Sequence, residues 1–433
     1  MSTQIIERAK AIHDVLVPGA KDSDKRIPGV EGLRGLGCMG VAFGHVAQMN
    51  APITGTELRL WPLGLALNLF FAASGFLLYL QFAARFMTHK PMPDMKRYAN
   101  RRFFRIFPGY IVIFLLVNFL FQASYLENQL IATAQQKATG DFGLGVGMIT
   151  DPPMLLSQLS LTASLFPQYM QTGISPAWSL TLELSFYLSL PISGWLLWML
   201  ARRTSMPKAW IVLVPPILLI ALSSVGKYVA DRLSAAHGGI GAVENGFGPT
   251  WIAVLSRSFL VLADTFAFGM LASVVFLAIS AGKPGRKTIG WLRVGAVVMM
   301  IGLVPVLLTL RDLHTRFDNM ALSALSMGII IFITSPFAAG RTSWLSNAID
   351  SRYFYRLGTI SLSIYLWHYP VLLFTRRMGW YGDDSISGLA ISAAIVLIPT
   401  ILLSEVTYRL VEAPALRCEF KRRPNGWPTI VRS

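Results

Sequence analysis

The stretch Gly29-Val-Glu-Gly-Leu-Arg34-Gly-Leu-Gly-Cys-Met-Gly-Val-Ala-Phe-Gly-His45-Val46 decides how the rest of the chain is read. It is the first apolar segment, yet it carries Arg34 and His45, two groups that hydrocarbon rejects. They stand eleven positions apart. In a helix that spacing returns to within about 20° of the starting direction and climbs about 16 Å, so both side chains share one face. A titratable residue inside a span is a functional-site hypothesis by default, because burying it uncompensated is costly. The alternative is that Arg34 snorkels to headgroups and His45 bonds a neighbouring helix. Two such groups on one face, beside Gly32, Gly35, Gly37 and Gly40, favour function; the glycines let other helices approach closely.

The chain has 433 residues, 54% hydrophobic and 14% charged, with a mean hydropathy of +0.53. That is too apolar for a soluble globular protein. Several runs approach the ~20 residues that cross ~30 Å of hydrocarbon. The reading is an all-α polytopic membrane protein with about ten transmembrane helices, over 31–49, 61–85, 106–124, 177–200, 209–225, 251–281, 290–310, 319–337, 357–376 and 388–412. The net charge of +16 fits many cytoplasmic loops rather than nucleic acid. Lys and Arg fill alternate loops, such as Lys96 to Arg105, Arg202 to Lys208, Lys283 to Lys287 and Arg417 to Arg423. By the positive-inside rule both termini are cytoplasmic.

Three parts follow. Residues 1–28 form a basic cytoplasmic segment, in which Ile5, Ala9, Ile12 and Leu16 suit an interfacial helix. Residues 29–417 form the transmembrane domain, and 418–433 a basic cytoplasmic tail. The longest loop, 125–176, lies outside. Its apolar run Leu155–Phe166 is too short to span and reads as re-entrant or interfacial. Cys38 and Cys418 imply no disulfide framework.

Other residues able to do chemistry sit in or beside the spans. Ser74-Gly75 reads as a close helix–helix contact or a polar site. Arg102 and Arg105 are three apart on one helix face; they are topology anchors or, as two rigid forks, a grip on polyphosphate. Trp178 marks an interface, and Glu183 lies about one and a half turns inside. His45 on an outward-running span reaches a similar depth. A carboxylate beside a histidine is a general-base arrangement. His368 follows Trp367 and is structural or functional. Glu405, Arg409 and Glu412 read as an ion-paired helix face. Arg257 and Asp264 share a face without an assigned role. No P-loop, nucleophile elbow or H-E-x-x-H is present, which argues against an ATPase, an ordinary serine hydrolase and a zincin.

Taken together, these residues resemble the membrane acyltransferase 3 family of bacterial integral-membrane O-acyltransferases. Glu31-Gly-Leu-Arg-Gly with His45 is similar to its opening signature, and Phe70-Phe71 with Ser74-Gly75-Phe76 to its second. Arg102-Phe-Phe-Arg105-Ile resembles its cytoplasmic Arg pair. Trp178 to Glu183 with Phe186-Tyr187-Leu188, Ser361 to Pro370, and Tyr408 to Pro414 match later blocks. Glu31 stands where an Asp is usual, and Leu184 where a second acid is common. The resemblance implies transfer of an acyl group from acyl-CoA, acetyl-CoA or another short one, to a hydroxyl of an envelope glycan or glycolipid. His45 and Glu183 would be catalytic. Arg34, Arg102, Arg105, Ser74, Trp178 and His368 would bind substrate. The expected location is the bacterial cytoplasmic membrane, with no tightly bound cofactor and no metal. Alternatives are an acyltransferase for a macrolide-type metabolite, and a carrier for a lipid-linked sugar or acid. Inverted repeats with broken helices would favour a carrier, and none is visible.

The alternating loops generate a first prediction. With the natural cysteines replaced, an impermeant thiol reagent applied outside should label a single cysteine near residue 140 and spare one near 285. The reverse pattern overturns the topology.

Overall fold

The computed structural model describes residues 27–64, 66–282, 284–422 and 428–432. The interfacial helix expected near the N-terminus lies outside the described residues. Helices dominate: α1 Val30–Asn50, α2 Ala66–Met87, α3 Met95–Leu115, α4 Trp178–Arg203, α5 Val214–Ala236, α6 Phe259–Gly282, α7 Arg286–Asp312, α8 Asp318–Ala338, α9 Arg352–Thr359, α10 Ser361–Arg377 and α11 Ile386–Thr407. Among the described residues, strands are confined to two short antiparallel pairs, Ser124–Tyr125 with Val146–Gly147 and Cys418–Arg422 with Pro428–Arg432.

Among the described residues, eight helical segments are long and apolar enough to cross a membrane, or nine if the pair α9 and α10, bent by 74°, is one span. The protein is a multi-pass membrane protein. The first predicted span, 31–49, falls in α1, which is 21 residues long, about 32 Å of helix. It is not among the eight, because glycine and charge dilute its apolar content.

Packing explains the glycines. A methyl on Gly32 would lie 1.9 Å from the Ile349 carbonyl oxygen, and one on Gly358 would lie 2.0 Å from that of Glu31. Helix α1 thus rests backbone to backbone on α9 and the turn before it. The α2–α6 contact is built the same way: methyls on Gly75 and Gly269 would meet the carbonyl oxygens of Phe266 and Ala72 at 2.1 and 1.9 Å. Such contacts need small residues because hydrocarbon supplies no hydrophobic drive between helices.

Polar groups from distant loops hold α1 at both ends. The Asp350 carboxylate accepts from the backbone N–H of Gly29 at 2.7 Å and of Gly32 at 2.9 Å. At the far end, the Arg376 guanidinium donates to the carbonyl of Met49 and to Asn50 Oδ1. An anion at the N-terminus and a cation at the C-terminus both suit the helix dipole. Beyond α1, Asp384 accepts from the N–H groups of Ile53 and Thr54, both at 2.9 Å.

The 125–176 loop is ordered and packs inward. It holds helices Gln129–Thr139 and Pro152–Leu159 and two 3₁₀ turns, Ala163–Leu165 and Pro167–Tyr169. The apolar run expected to be re-entrant or interfacial is broken at Leu161, whose φ is 58°. The true descent comes later. Ser175, Pro176 and Ala177 are buried, and the Tyr365 hydroxyl donates to the Pro176 carbonyl at 3.1 Å. Helix α4 therefore starts inside the protein rather than at a membrane surface.

These contacts predict that Gly32→Ala destabilises the protein by about 1–3 kcal/mol, the usual cost of overpacking. Gly290→Ala in α7, where a methyl meets nothing within 4 Å, should be neutral or stabilise by up to about 1 kcal/mol. Thermal unfolding in detergent separates them, and equal midpoints for the two variants contradict the packing argument.

Candidate active site

Helix α1 and helix α10 bring two histidines together. His45 Nδ1 lies 2.9 Å from His368 Nε2, with the rings nearly coplanar at 6°. Tyr369 meets His45 edge-on, with centroids 5.3 Å apart. His368 is 1% exposed, whereas His45 is only half-buried.

The hydrogen bonds fix the tautomers. His368 Nδ1 lies 3.2 Å from the Ile364 carbonyl, an acceptor only, so this nitrogen carries hydrogen. In the neutral ring Nε2 is then an acceptor, and His45 must donate to it from Nδ1. That leaves a lone pair on His45 Nε2, the atom outside the pair. A base with a fixed, outward-facing lone pair is what proton abstraction from a hydroxyl needs.

A second group collects where α1, α2, α3, α4, α10 and α11 converge. Arg34 pairs with Glu31 at 3.3 Å and lies 4.7 Å over the Phe70 ring. Arg102 lies 5.8 Å from the Tyr98 ring and 5.5 Å from that of Tyr187. Arg105 is within electrostatic reach of Glu412, Glu31, Tyr187 and Glu183. A π-helical turn, Tyr408–Glu412, carries Glu412 into this group, where it accepts from Ser363. Nε of Arg34, Nε of Arg102 and Oε2 of Glu412 are buried without a hydrogen-bond partner. Two guanidinium donors without acceptors, on converging helices, suit an anionic oxygen such as phosphate supplies.

The expected His45–Glu183 contact is not among the bonds the structure forms. Glu183 accepts from the Tyr187 hydroxyl at 2.5 Å and faces the arginine group. His368 takes the place beside His45. Ser74 is buried beside Gly75 on α2. Trp178 stacks with Arg257, whose guanidinium is 4.7 Å from its ring.

Other ionic readings also change. Glu405 pairs with Arg356 and Arg409, at 2.7 and 2.5 Å, while Glu412 turns inward. Arg257 and Asp264 part at the break before α6, and Asp264 binds Lys227 at 2.7 Å with both side chains fully buried. Lys227 was missed because its charge makes the apolar run appear to stop at residue 225. The ties made by Asp350, Arg376 and Asp384 left no local signal, since their partners are more than 300 residues away in sequence.

Comparison with known proteins agrees with this geometry. Residues 27–409 match the acyltransferase domain family. The chain belongs to this family. It is 23% identical over 409 residues to acyltransferase MdmB of Streptomyces mycarofaciens, covering 92% of this chain and 94% of the relative. It is 21% identical over 402 residues to O-acetyltransferase OatA of Staphylococcus aureus, covering 92% of this chain but 58% of that longer protein. No solved structure matches. Family membership turns the histidine pair and the arginine group into parts of a candidate acyl-transfer site.

Histidine nitrogens report their own protonation, so the tautomer assignment is open to test. In ¹⁵N spectra of the histidine-labelled protein near neutral pH, His45 should be protonated at Nδ1 and bare at Nε2. His368→Phe, which keeps a ring but removes the acceptor, should abolish that preference. Protonation of His45 at Nε2 in the parent protein contradicts the assignment.

Proposed function

We propose that the protein is an O-acyltransferase of the bacterial cytoplasmic membrane, moving a short acyl group from acyl-CoA to a hydroxyl of an envelope glycan or glycolipid. The observation that carries this reading is α1 itself: Arg34 and His45 on one face, about 16 Å apart along the axis, each meeting a matching group. Arg34, Arg102 and Arg105 hold the CoA phosphates on the cytoplasmic side, the side that the basic loops mark. The thioester arm lies along α1 toward His45, and the acceptor enters from the opposite side.

In the transfer step His45 Nε2 removes the acceptor hydroxyl proton as its oxygen attacks the thioester carbonyl. The carbon–sulfur bond then breaks, and the imidazolium returns the proton to the departing CoA thiolate. His368 holds His45 in the tautomer this step needs, in the role a carboxylate has in other triads. The resulting product is an ester and free CoA. The bacterial O-acetyltransferase relative supports a short acyl group and an oxygen acceptor. A lipid-linked-cargo carrier would require neither a base nor a thiol leaving group.

His45→Gln keeps a polar side chain but cannot take up a proton at neutral pH. Transfer should drop by about 10²–10⁴, the usual worth of a general base, with acyl-CoA affinity retained. Replacing Arg102 and Arg105 by Lys keeps charge but loses the fork geometry, so acyl-CoA affinity should fall instead. Acceptor-dependent thiol release from the purified protein reads both. Undiminished release from the His45 variant removes this residue from the mechanism.

A further inference from the structure

Arg257 belongs neither to the histidine pair nor to the arginine group, and the transfer step does not use it. It ends a short helix, Trp251–Arg257, at the break before α6. That helix opens the segment Trp251–Gly282, which is apolar enough to cross the membrane. A guanidinium placed there calls for a counter-charge, because an uncompensated one is costly. Among the described residues no carboxylate pairs with it. The strongest charge acting on it is that of Arg316, a second cation, which is already paired with Asp231 at 2.7 Å. Asp318 acts more weakly, and its carboxylate accepts from the Asn319 N–H.

Its neighbours hold the side chain still while leaving most of its donors unused. The Phe247 ring lies 3.7 Å from the guanidinium carbon and the Trp178 ring 4.7 Å. Nε donates to the Gly246 carbonyl at 2.8 Å. Phe247 is itself pinned, because Asn128 Nδ2 donates to its carbonyl at 2.9 Å and to that of Met170 at 2.8 Å. Arg316 Nη2 and Ser256 Oγ both donate to the Asn245 carbonyl in the same turn, each at 2.9 Å. A guanidinium has five N–H groups, and among the described residues only Nε–H of Arg257 is bonded. The other four, on Nη1 and Nη2, have no partner there, yet these nitrogens are not among the polar atoms shut off from solvent. A planar fork that is fixed, charged, open and unpaired matches the two oxygens of a carboxylate or phosphate.

Tyr365 connects this fork to the histidine pair. Its ring lies 5.7 Å from that of His368, and its hydroxyl donates to the carbonyl of Pro176, two residues before Trp178. It is also within electrostatic reach of Arg257. We infer that Arg257 binds an acidic group of the acceptor, a carboxylate or a phosphate, and that the acceptor is therefore an anionic glycan or glycolipid. This rests on the O-acyltransferase reading and narrows its acceptor class. The acid and the acylated hydroxyl need not share one ring. A neutral acceptor leaves the guanidinium uncompensated, and a cationic one meets the charges of Arg257 and Arg316 together. A phospholipid headgroup carries the same kind of oxyanion, and the experiment separates the two sources.

The test is binding by calorimetry, which needs no turnover, with the purified protein in neutral detergent. The probes are methyl glucoside, methyl glucuronide and methyl glucoside 6-phosphate. At least one charged glycoside should bind the parent about tenfold more tightly than the neutral one, as a charge-assisted hydrogen bond allows. Arg257→Gln should erase that preference and leave the affinity for the neutral glycoside unchanged. Arg257→Lys keeps the charge but loses the fork, so it should retain part of the preference, and it guards against a folding defect in the first variant. If Arg257 only clamps the turn 244–248, Arg257→Gln weakens all three glycosides alike, which overturns the inference. No preference in the parent, or one that survives Arg257→Gln, also overturns it. Phosphatidylglycerol that raises the unfolding temperature of the parent but not of Arg257→Gln, with no glycoside preference, gives the fork to a lipid headgroup instead. Thiol release tests the transferase reading separately: release that ignores the acceptor's charge defeats the acid site alone, and an acid preference without release defeats the chemistry.

Discussion

Everything in the site depends on how α1 is tied down. Its N-terminal amides are held by Asp350 and its C-terminal carbonyls by Arg376, so the helix can neither slide along its axis nor rotate without breaking charge-assisted bonds. The glycine contacts with α9 remove the remaining slack, since backbone atoms cannot rearrange as side chains do. The result is a rigid spacing between Arg34 and His45, the proposed phosphate-binding end and the proposed base. Axial drift would stretch the 2.9 Å contact between His45 and His368 beyond hydrogen-bond reach and release the tautomer that exposes the lone pair.

Much of this was legible from residue patterns. Ten helical segments follow from the apolar runs, and the shared face of Arg34 and His45 follows from helical period alone. The glycines of α1 mark a close approach, and Gly75 marks another. Ser74-Gly75 and Arg102 with Arg105 were readable as candidates because small residues and paired forks have few uses inside a membrane.

What was not legible depended on depth and on register between distant elements. Nothing local to Ser175-Pro-Ala-Trp178 says that this turn is buried, and nothing local to Glu183 says that Tyr187 holds its carboxylate. The partner of His45 is set by the level at which α10 meets α1, which depends on the Gly35–Gly358 contact and on the bend at Ile360. Asp350 and Asp384 stand in loops where a carboxylate is unremarkable. Only the folded chain shows that each holds a backbone made hundreds of residues earlier.

That last point bears on how the chain is made. Helix α1 is less apolar than the eight candidate spans, and it carries an arginine, a glutamate and a histidine. Its partners Asp350, His368 and Arg376 follow it by more than 300 residues. Until that part of the chain is made, Gly32 and Gly35 lack the backbone they pack on and His45 lacks its ring partner. A chain built in this order depends on late closure of its two ends. Truncation after residue 338 would therefore leave α1 without Asp350, His368 and Arg376.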